Sequence, residues 1–249
     1  MKQHTNLIKK QIDLITNAFY SNFCGIDLTN ISNGIHFICL NARDEKVKGF
    51  NCKYTIYVLV KAKACVIAYA PKYQDFFEHL KTNNLENILG EIEKKFKIKK
   101  MQLMIFKKEL IHDYGNACIL HEEDFNNYED FFHQIHPSTI TTKWLEEYFI
   151  SKVKKEYFTG YFVNGALVSV CDAPDMPYME DKIQHTGIVT LPQERRKGYA
   201  KLTAALATHN LLEKGICPQW ECRLENHASI HLAESIGYEK YGITFIVEE

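Results

Sequence analysis

The chain has 249 residues, 46% of them hydrophobic, enough for one large domain or two small ones with a sizeable core. Its formal net charge of −1 excludes a global field that would draw it onto nucleic acid or an anionic membrane. No apolar run approaches the ~20 residues that cross a bilayer, and the start, MKQHTNLIKKQIDLI, has no uninterrupted apolar segment of the signal-peptide kind.

The first part opens on a helical pattern carried by Leu7, Ile12 and Ile15. Strand-like runs follow: GIHFICLN, KYTIYVLVKAKACVIAYA and KKMQLMIF. Between the last two, Leu85, Ile88, Leu89, Ile92 and Phe96 recur at helical spacing. No constellation of chemical residues stands out here, so residues 1–115 read as a smaller α+β domain for packing, as a lid or at an interface. His112 to Asn116 (HDYGN) reads as a loop and boundary.

From residue 116 to 249 the pattern changes. ACILHEEDF reads as a strand, NNYEDFFHQIH and TTKWLEEYFISK as two helices parted by His136-Pro137-Ser138. EYFTGYFV and ALVSVC flank Asn164-Gly165, the strongest short-range hairpin signal. DAPDMPYMED is a Pro-rich acidic loop, and KIQHTGIVTL a strand. GYAKLTAALATHNLLEK is a helix closed by Gly215, followed by the strand ICPQWECRL. NHASIHLAESI is a short helix stopped by Gly237, and YGITFIV a last strand. The order predicts an α/β fold: a mixed central sheet with helices on both faces.

The eight cysteines (Cys24, Cys39, Cys52, Cys65, Cys118, Cys171, Cys217, Cys222) form no CxxC pair. They read as reduced thiols of a cytoplasmic protein rather than a disulfide framework or a zinc site, and no metal is expected. The basic runs Lys97 to Lys100 and Lys152 to Lys155 read as solvated faces, without the aromatic spacing of a single-strand binder.

One stretch, TLPQERRKGYA (Thr190 to Ala200), breaks a local rule. It sets Arg195, Arg196 and Lys197 at the start of a helix, where the macrodipole already carries about +0.5 charge. Each exposed misplaced charge costs ~0.3–1 kcal/mol. Glycine in a first turn is also unfavourable, but Gly198 lets a ligand approach the backbone. Free N–H groups beside three cations make sense if a polyanion such as pyrophosphate supplies the missing charge. The other reading is three solvated cations on a mobile loop. Walker and Rossmann fingerprints are both absent.

Arg195-x-x-Gly198-x-Ala200, after a strand and opening a helix, resembles the Gln/Arg-x-x-Gly-x-Gly/Ala motif of the GNAT superfamily of acetyl-CoA-dependent N-acyltransferases. The element order from Ala117 resembles that fold, and NHASIHLAESIGY (Asn226 to Tyr238) resembles its second signature. The wording PQWEC…N…S…LAE…GY is similar to a bacterial group with an extra N-terminal domain that includes zwittermicin-resistance acetyltransferases.

The resemblance implies acetyl-CoA as co-substrate. Arg195, Arg196, Lys197, Gly198, Tyr199 and Ala200 would hold the pyrophosphate of coenzyme A. Ile188, Val189 and Thr190 would pair by backbone with the pantetheine arm, like an added strand. Asn226 and Ser229 would lie near the pantetheine or thiol, with a plain helix N-cap the other role for Asn226. It implies transfer to a primary amine, of a small molecule, in a ternary complex; a non-catalytic acyl-CoA sensor or scaffold is the alternative, and protein or peptide N-acetylation, which needs an open groove, a third option.

Two departures bear on the protons. Relatives often carry a Glu on the strand before the loop; here His185 holds about that place, and its ordinary pKa near 6.5 suits a base, with a polar residue on an exposed strand face as the other reading. Relatives often carry a Tyr seven residues after the helix Asn; here that position is Ala233. Tyr238 is then the candidate acid, with Tyr241, Ser229 or unaided thiolate departure as alternatives. Asp172, Asp175, Glu180 and Asp181, and more weakly Glu146, Glu147 and Tyr148, are candidates for flanking a cationic acceptor, with a solvated turn the equal reading of the acidic loop. The sequence ends soon after YGITFIV, where relatives have one more strand. That edge of the sheet is then either short or completed by the residues before 116, and a homodimer is another way to cover it.

Overall fold

The computed structural model describes residues 2–108 and 113–249, with side chains from residue 11 onward. His112 and the side chain of Leu7 lie outside the described residues. The chain opens on helix α1 (Lys2–Cys24) and strand β1 (Gly34–Cys39). The long run KYTIYVLVKAKACVIAYA is a hairpin, β2 (Tyr54–Lys61) and β3 (Ala64–Tyr69), turning where Ala62 takes a positive φ of 51°. A short helix α2 (Gln74–Glu78), helix α3 (Leu85–Lys95) and strand β4 (Ile98–Phe106) follow. Asn84 caps α3, its side chain accepting from Asn87 N at 2.9 Å.

Then come β5 (Ala117–Ile119), α4 (Phe125–Ile135), α5 (Lys143–Val153), β6 (Thr159–Val163) and β7 (Ala166–Asp172). Asn164 and Gly165 turn the β6–β7 hairpin with φ of 51° and 81°, the double positive φ of a type I′ turn. The expected single strand KIQHTGIVTL is two, β8 (Ile183–His185) and β9 (Gly187–Thr190). The chain closes with α6 (Tyr199–Glu213), β10 (Cys217–Arg223), α7 (His227–Ile236) and β11 (Tyr238–Glu248).

Two sheets result. The larger has seven strands in the order β1-β3-β2-β11-β4-β10-β8; the smaller is β5-β6-β7-β9. The α/β reading with a central mixed sheet and helices therefore holds. The larger sheet crosses the 115/116 position. β11 lies antiparallel to both β2 and β4, and β10 antiparallel to β4, so strands from residues 34–106 and from 217–248 alternate. The edge left after β11 is thus covered by strands from earlier in the chain.

Alternation along β2 shows how the layers stack. Ile56 and Val58 pack with Phe77, Ile88 and Ile92 of α2 and α3; Tyr57 and Leu59 pack with Ile12, Phe19 and Phe23 of α1. α1 is also pinned by buried polar contacts: Gln219 Nε2 donates to Thr16 Oγ1 at 2.6 Å, and the Tyr241 hydroxyl to Asn17 Oδ1 at 2.7 Å. A separate core lies under α4 and α5, around Leu120, Tyr128, Leu145, Phe149 and Phe158. All eight cysteines are free thiols. Among the described residues, no helix is long and apolar enough to cross a membrane, and no cluster of His, Cys, Asp or Glu suits a metal ion.

Candidate functional site

The site begins where one strand divides between two sheets. β8 runs parallel to β10, pairing His185 with Gln219. β9, one residue later, pairs instead with β7, from Gly187 opposite Asp172 to Thr190 opposite Ser169. Thr186 is the pivot: its N–H and its hydroxyl both donate to the Gln219 carbonyl, at 3.1 and 3.2 Å. Beyond it β9 and β10 part. β9 is the outer strand of its sheet, so one row of its backbone groups has no strand partner. Gly187 permits the crossing, since a Cβ there would run into Asp172 Oδ1.

On one side of the pivot lies an open cleft of about 720 Å³. Ile188, Val189 and Thr190 form one wall, Asn226 and Ser229 the other, and Arg195, Arg196, Gly198, Tyr199 and Ala200 the end. The sequence thus brings ten of its candidates together. The loop earns its shape from two positive-φ residues, Arg196 (64°) and Gly198 (88°). A Cβ on Gly198 would meet nothing within 4 Å, so the backbone there faces open space. The first N–H groups of α6 lack intrahelical acceptors, which leaves donors at this end that an anion could take up. Arg195 is braced by its Nε donating to the Thr190 carbonyl at 3.2 Å. Lys197 is the exception: it does not line the cleft, and its ammonium pairs with Glu194 at 2.9 Å. Donors and cations thus converge where a polyanion would be held, and this end fits the pyrophosphate of coenzyme A.

Asn226 and Ser229 carry structural bonds as well. Ser229 N donates to Asn226 Oδ1 at 3.1 Å, capping α7, and Trp220 Nε1 donates to Ser229 Oγ at 3.0 Å. Tyr238 is not brought to this place. It is fully buried between Phe106 and Trp220, and its hydroxyl shares a hydrogen bond with Thr208 Oγ1 at 3.0 Å. As the first residue of β11 it points into the core, and the acid role expected of it has no geometric support.

On the other side of the pivot lies a smaller cavity of about 230 Å³. His185, Thr186 and Gly187 form its floor; Phe19, Tyr20 and Phe23 of α1, and Tyr54 and Tyr57 of β2, form its wall. One carboxylate faces into it, Glu221 of β10. Glu221 Oε2 lies 3.9 Å from His185 Nδ1. Burial pushes the Glu221 carboxyl up to about 7, with Lys99 pulling the other way. Burial pushes His185 down to about 4, so its ring is neutral at pH 7. Its Nε2 is buried without a hydrogen-bond partner among the described residues, and Phe19 meets the ring edge-on at 5.6 Å.

Glu221 was not singled out from the sequence. The available signal was a lone acid within the otherwise uncharged run CPQWEC, on the same strand face as Gln219. The acidic loop borders the cavity through Pro174 and Pro177, and its carboxylates do not line it. Asp175 pairs with Lys152 at 2.7 Å, Glu180 lies 3.8 Å from Lys48, and burial raises Asp172 beside Gly187. Glu146 and Glu147 are exposed on α5, and Tyr148 packs against Phe158.

Residues 139–243, which hold the larger cleft and part of the smaller cavity, match the family described as GNAT acetyltransferase. No curated protein matches the sequence. Among solved structures, an acetyltransferase from the GNAT family of Colwellia psychrerythraea aligns at 15% identity and a TM-score of 0.51, over 67% of this chain and 63% of that one. A GNAT-family protein from Novosphingobium aromaticivorans aligns at 17% identity and 0.47, over 61% and 65%. A GCN5-related N-acetyltransferase-like protein from Streptococcus suis aligns at 16% and 0.45, over 78% and 84%. The match spans less than two thirds of the first two of these chains. The first supports a GNAT-like fold.

Proposed function

We propose that the protein is an N-acetyltransferase that binds acetyl-CoA in the larger cleft and passes its acetyl group directly to a small primary amine in a ternary complex. The observation that carries this reading is the strand division at Thr186. It sets a cleft with two arginines and a helix N-terminus against a cavity holding a carboxylate, with β9 running between them.

In this reading acetyl-CoA supplies the activated acyl carbon. Arg195, Arg196 and the N–H groups from Gly198 to Ala200 hold its pyrophosphate, and the free edge of β9 pairs with its pantetheine arm. Asn226 and Ser229 line the cleft near the thiol. The aromatic wall excludes water on the acceptor side, which strengthens polar contacts made there. Residues 1–115 become part of the acceptor site, because α1 and β2 build that wall. The kinship with zwittermicin-resistance enzymes belongs to the same proposal and rests on the Pro218-to-Tyr238 wording.

Release of free thiol from acetyl-CoA across a panel of amines tests this reading. The parent is expected to turn over at least one amine, and Gly198→Glu none. Coenzyme A binding without turnover of any amine would favour the acyl-CoA sensor instead. That second reading draws on Ala233 at the usual tyrosine position and on the burial of Tyr238.

A further inference from the structure

The aromatic cavity has a chemistry of its own. One wall is aromatic: Phe23 stacks on Tyr57 at 5.0 Å between centroids and meets Phe19 edge-on at 5.5 Å, while Tyr54 stacks on Tyr57 at 6.4 Å. Pro174 and Pro177 add further apolar surface. Into this apolar space points one carboxylate, Glu221. Its ion-pair contact among the described residues is His185, which is neutral at pH 7. Lys99 lowers its pKa from a distance while bonded to Glu248 at 2.5 Å. Tyr20, Tyr54 and Tyr57 also feel the Glu221 charge, and burial keeps all three protonated. A half-buried carboxylate without a close cation is costly unless a ligand supplies one.

Resting on the acetyltransferase reading above, we propose that this cavity is the acceptor subsite, that its substrate is a small primary amine with an aromatic or flat apolar body, and that Glu221 binds the ammonium and takes its proton. The rings suit such a body and favour a cation at their faces. The volume, about 230 Å³, lies below the ~300–1,000 Å³ of pockets for drug-sized ligands, so one ring and a short chain fill it. A polyhydroxylated amine would set hydroxyls against the Phe19, Phe23, Met101, Pro174 and Pro177 surface, where no polar side chain meets them.

The step balances as follows. The substrate R–NH3+ gives one proton to the Glu221 carboxylate. The freed lone pair attacks the thioester carbon, the C–N bond forms and the C–S bond breaks. Sulfur leaves with the electron pair and takes the surplus proton from nitrogen, giving free coenzyme A thiol and the amide. Glu221 returns its proton to water. A carboxyl held near neutrality is matched to this exchange at working pH. His185, pushed down to about 4, is too weak a base to compete and serves as a neutral neighbour.

The test uses 2-phenylethylamine, 2-phenylethanol, putrescine and glucosamine as probes. Binding to the protein without acetyl-CoA is measured by calorimetry, and turnover with acetyl-CoA by thiol release from pH 5.5 to 9. The parent is expected to bind and acetylate 2-phenylethylamine about tenfold better than putrescine or glucosamine, and to bind the alcohol about tenfold more weakly. Glu221→Gln is expected to weaken amine binding about tenfold or more and to remove the acidic limb of kcat/KM, with the KM for acetyl-CoA unchanged. Preference of the parent for glucosamine or putrescine, or full retention of amine binding and pH profile in Glu221→Gln, overturns the proposal. A melt with acetyl-CoA runs alongside. If it shows no shift, the acetyl-transfer reading fails, and amine binding without acetyl-CoA still decides what the cavity takes.

Discussion

Phe23→Ala tests whether the N-terminal helix builds the acceptor wall. Phe23 is 5% exposed and touches five rings: Tyr57 at 5.0 Å, Tyr178 at 5.1 Å, Phe19 at 5.5 Å, Tyr54 at 6.1 Å and Tyr20 at 6.4 Å. The Arg43 guanidinium also lies over it, 5.5 Å from the ring centroid. Truncating a buried Phe costs ~3–5 kcal/mol. Phe23 borders a cavity, so part of its surface is already unpacked, and the low end, ~3 kcal/mol, applies. For a chain of this size that lowers Tm by ~6–12 °C. A melt followed by circular dichroism reads the stability loss, and initial rates read its functional counterpart. The KM for the amine rises, while the KM for acetyl-CoA stays within about twofold, because Phe23 does not line the larger cleft. A drop in Tm below ~2 °C, or a change confined to the acetyl-CoA KM, would refute the reasoning.

Two further outcomes follow from the same geometry. Glu221 is raised from its ordinary 4.5 to about 7, so the folded state binds more protons between those values and loses stability as pH rises through that window, by ~3 kcal/mol. His185 is depressed from 6.5 to about 4, so the folded state binds fewer protons there and loses stability as pH falls through that window. The slopes oppose each other in the parent; in Glu221→Gln the first disappears. Its stability relative to the parent, from urea titrations, therefore grows from pH 4.5 to 7 and flattens above, and a pH-independent difference would contradict the burial of this carboxyl. Tyr238→Phe loses one buried hydrogen bond to Thr208, worth ~1 kcal/mol, with kcat unchanged; a large fall in kcat at equal fold stability would restore Tyr238 as an acid.

The sequence shows local structure where punctuation is chemical. Asn164-Gly165 marks its hairpin because both residues tolerate positive φ, and Asn84 and Asn226 mark their helices because their side chains satisfy first-turn N–H groups. The β2–β3 turn at Ala62 carries no such residue, so two strands read as one run. The division of β8 from β9 at Thr186 has no local signature either, since it is set by which strand each half pairs with. The placement of β11 between β2 and β4 joins segments well over a hundred residues apart, beyond any periodicity. The larger cleft was legible because loop, glycine and helix start are contiguous. The aromatic cavity was not, because its rings come from α1 and β2 and its carboxylate from β10.

The central claim is that Thr190 to Ala200 holds coenzyme A. A thermal melt with and without excess acetyl-CoA, in the parent and in Gly198→Glu, tests it most directly. A ligand at one hundred times its Kd adds ~2.7 kcal/mol, or ~5–11 °C for a protein of this size. The account predicts that shift in the parent and its loss in Gly198→Glu, whose side chain would fill the open space at φ 88° with negative charge. An unshifted melt of well-folded parent protein, or an equal shift in the variant, would contradict it.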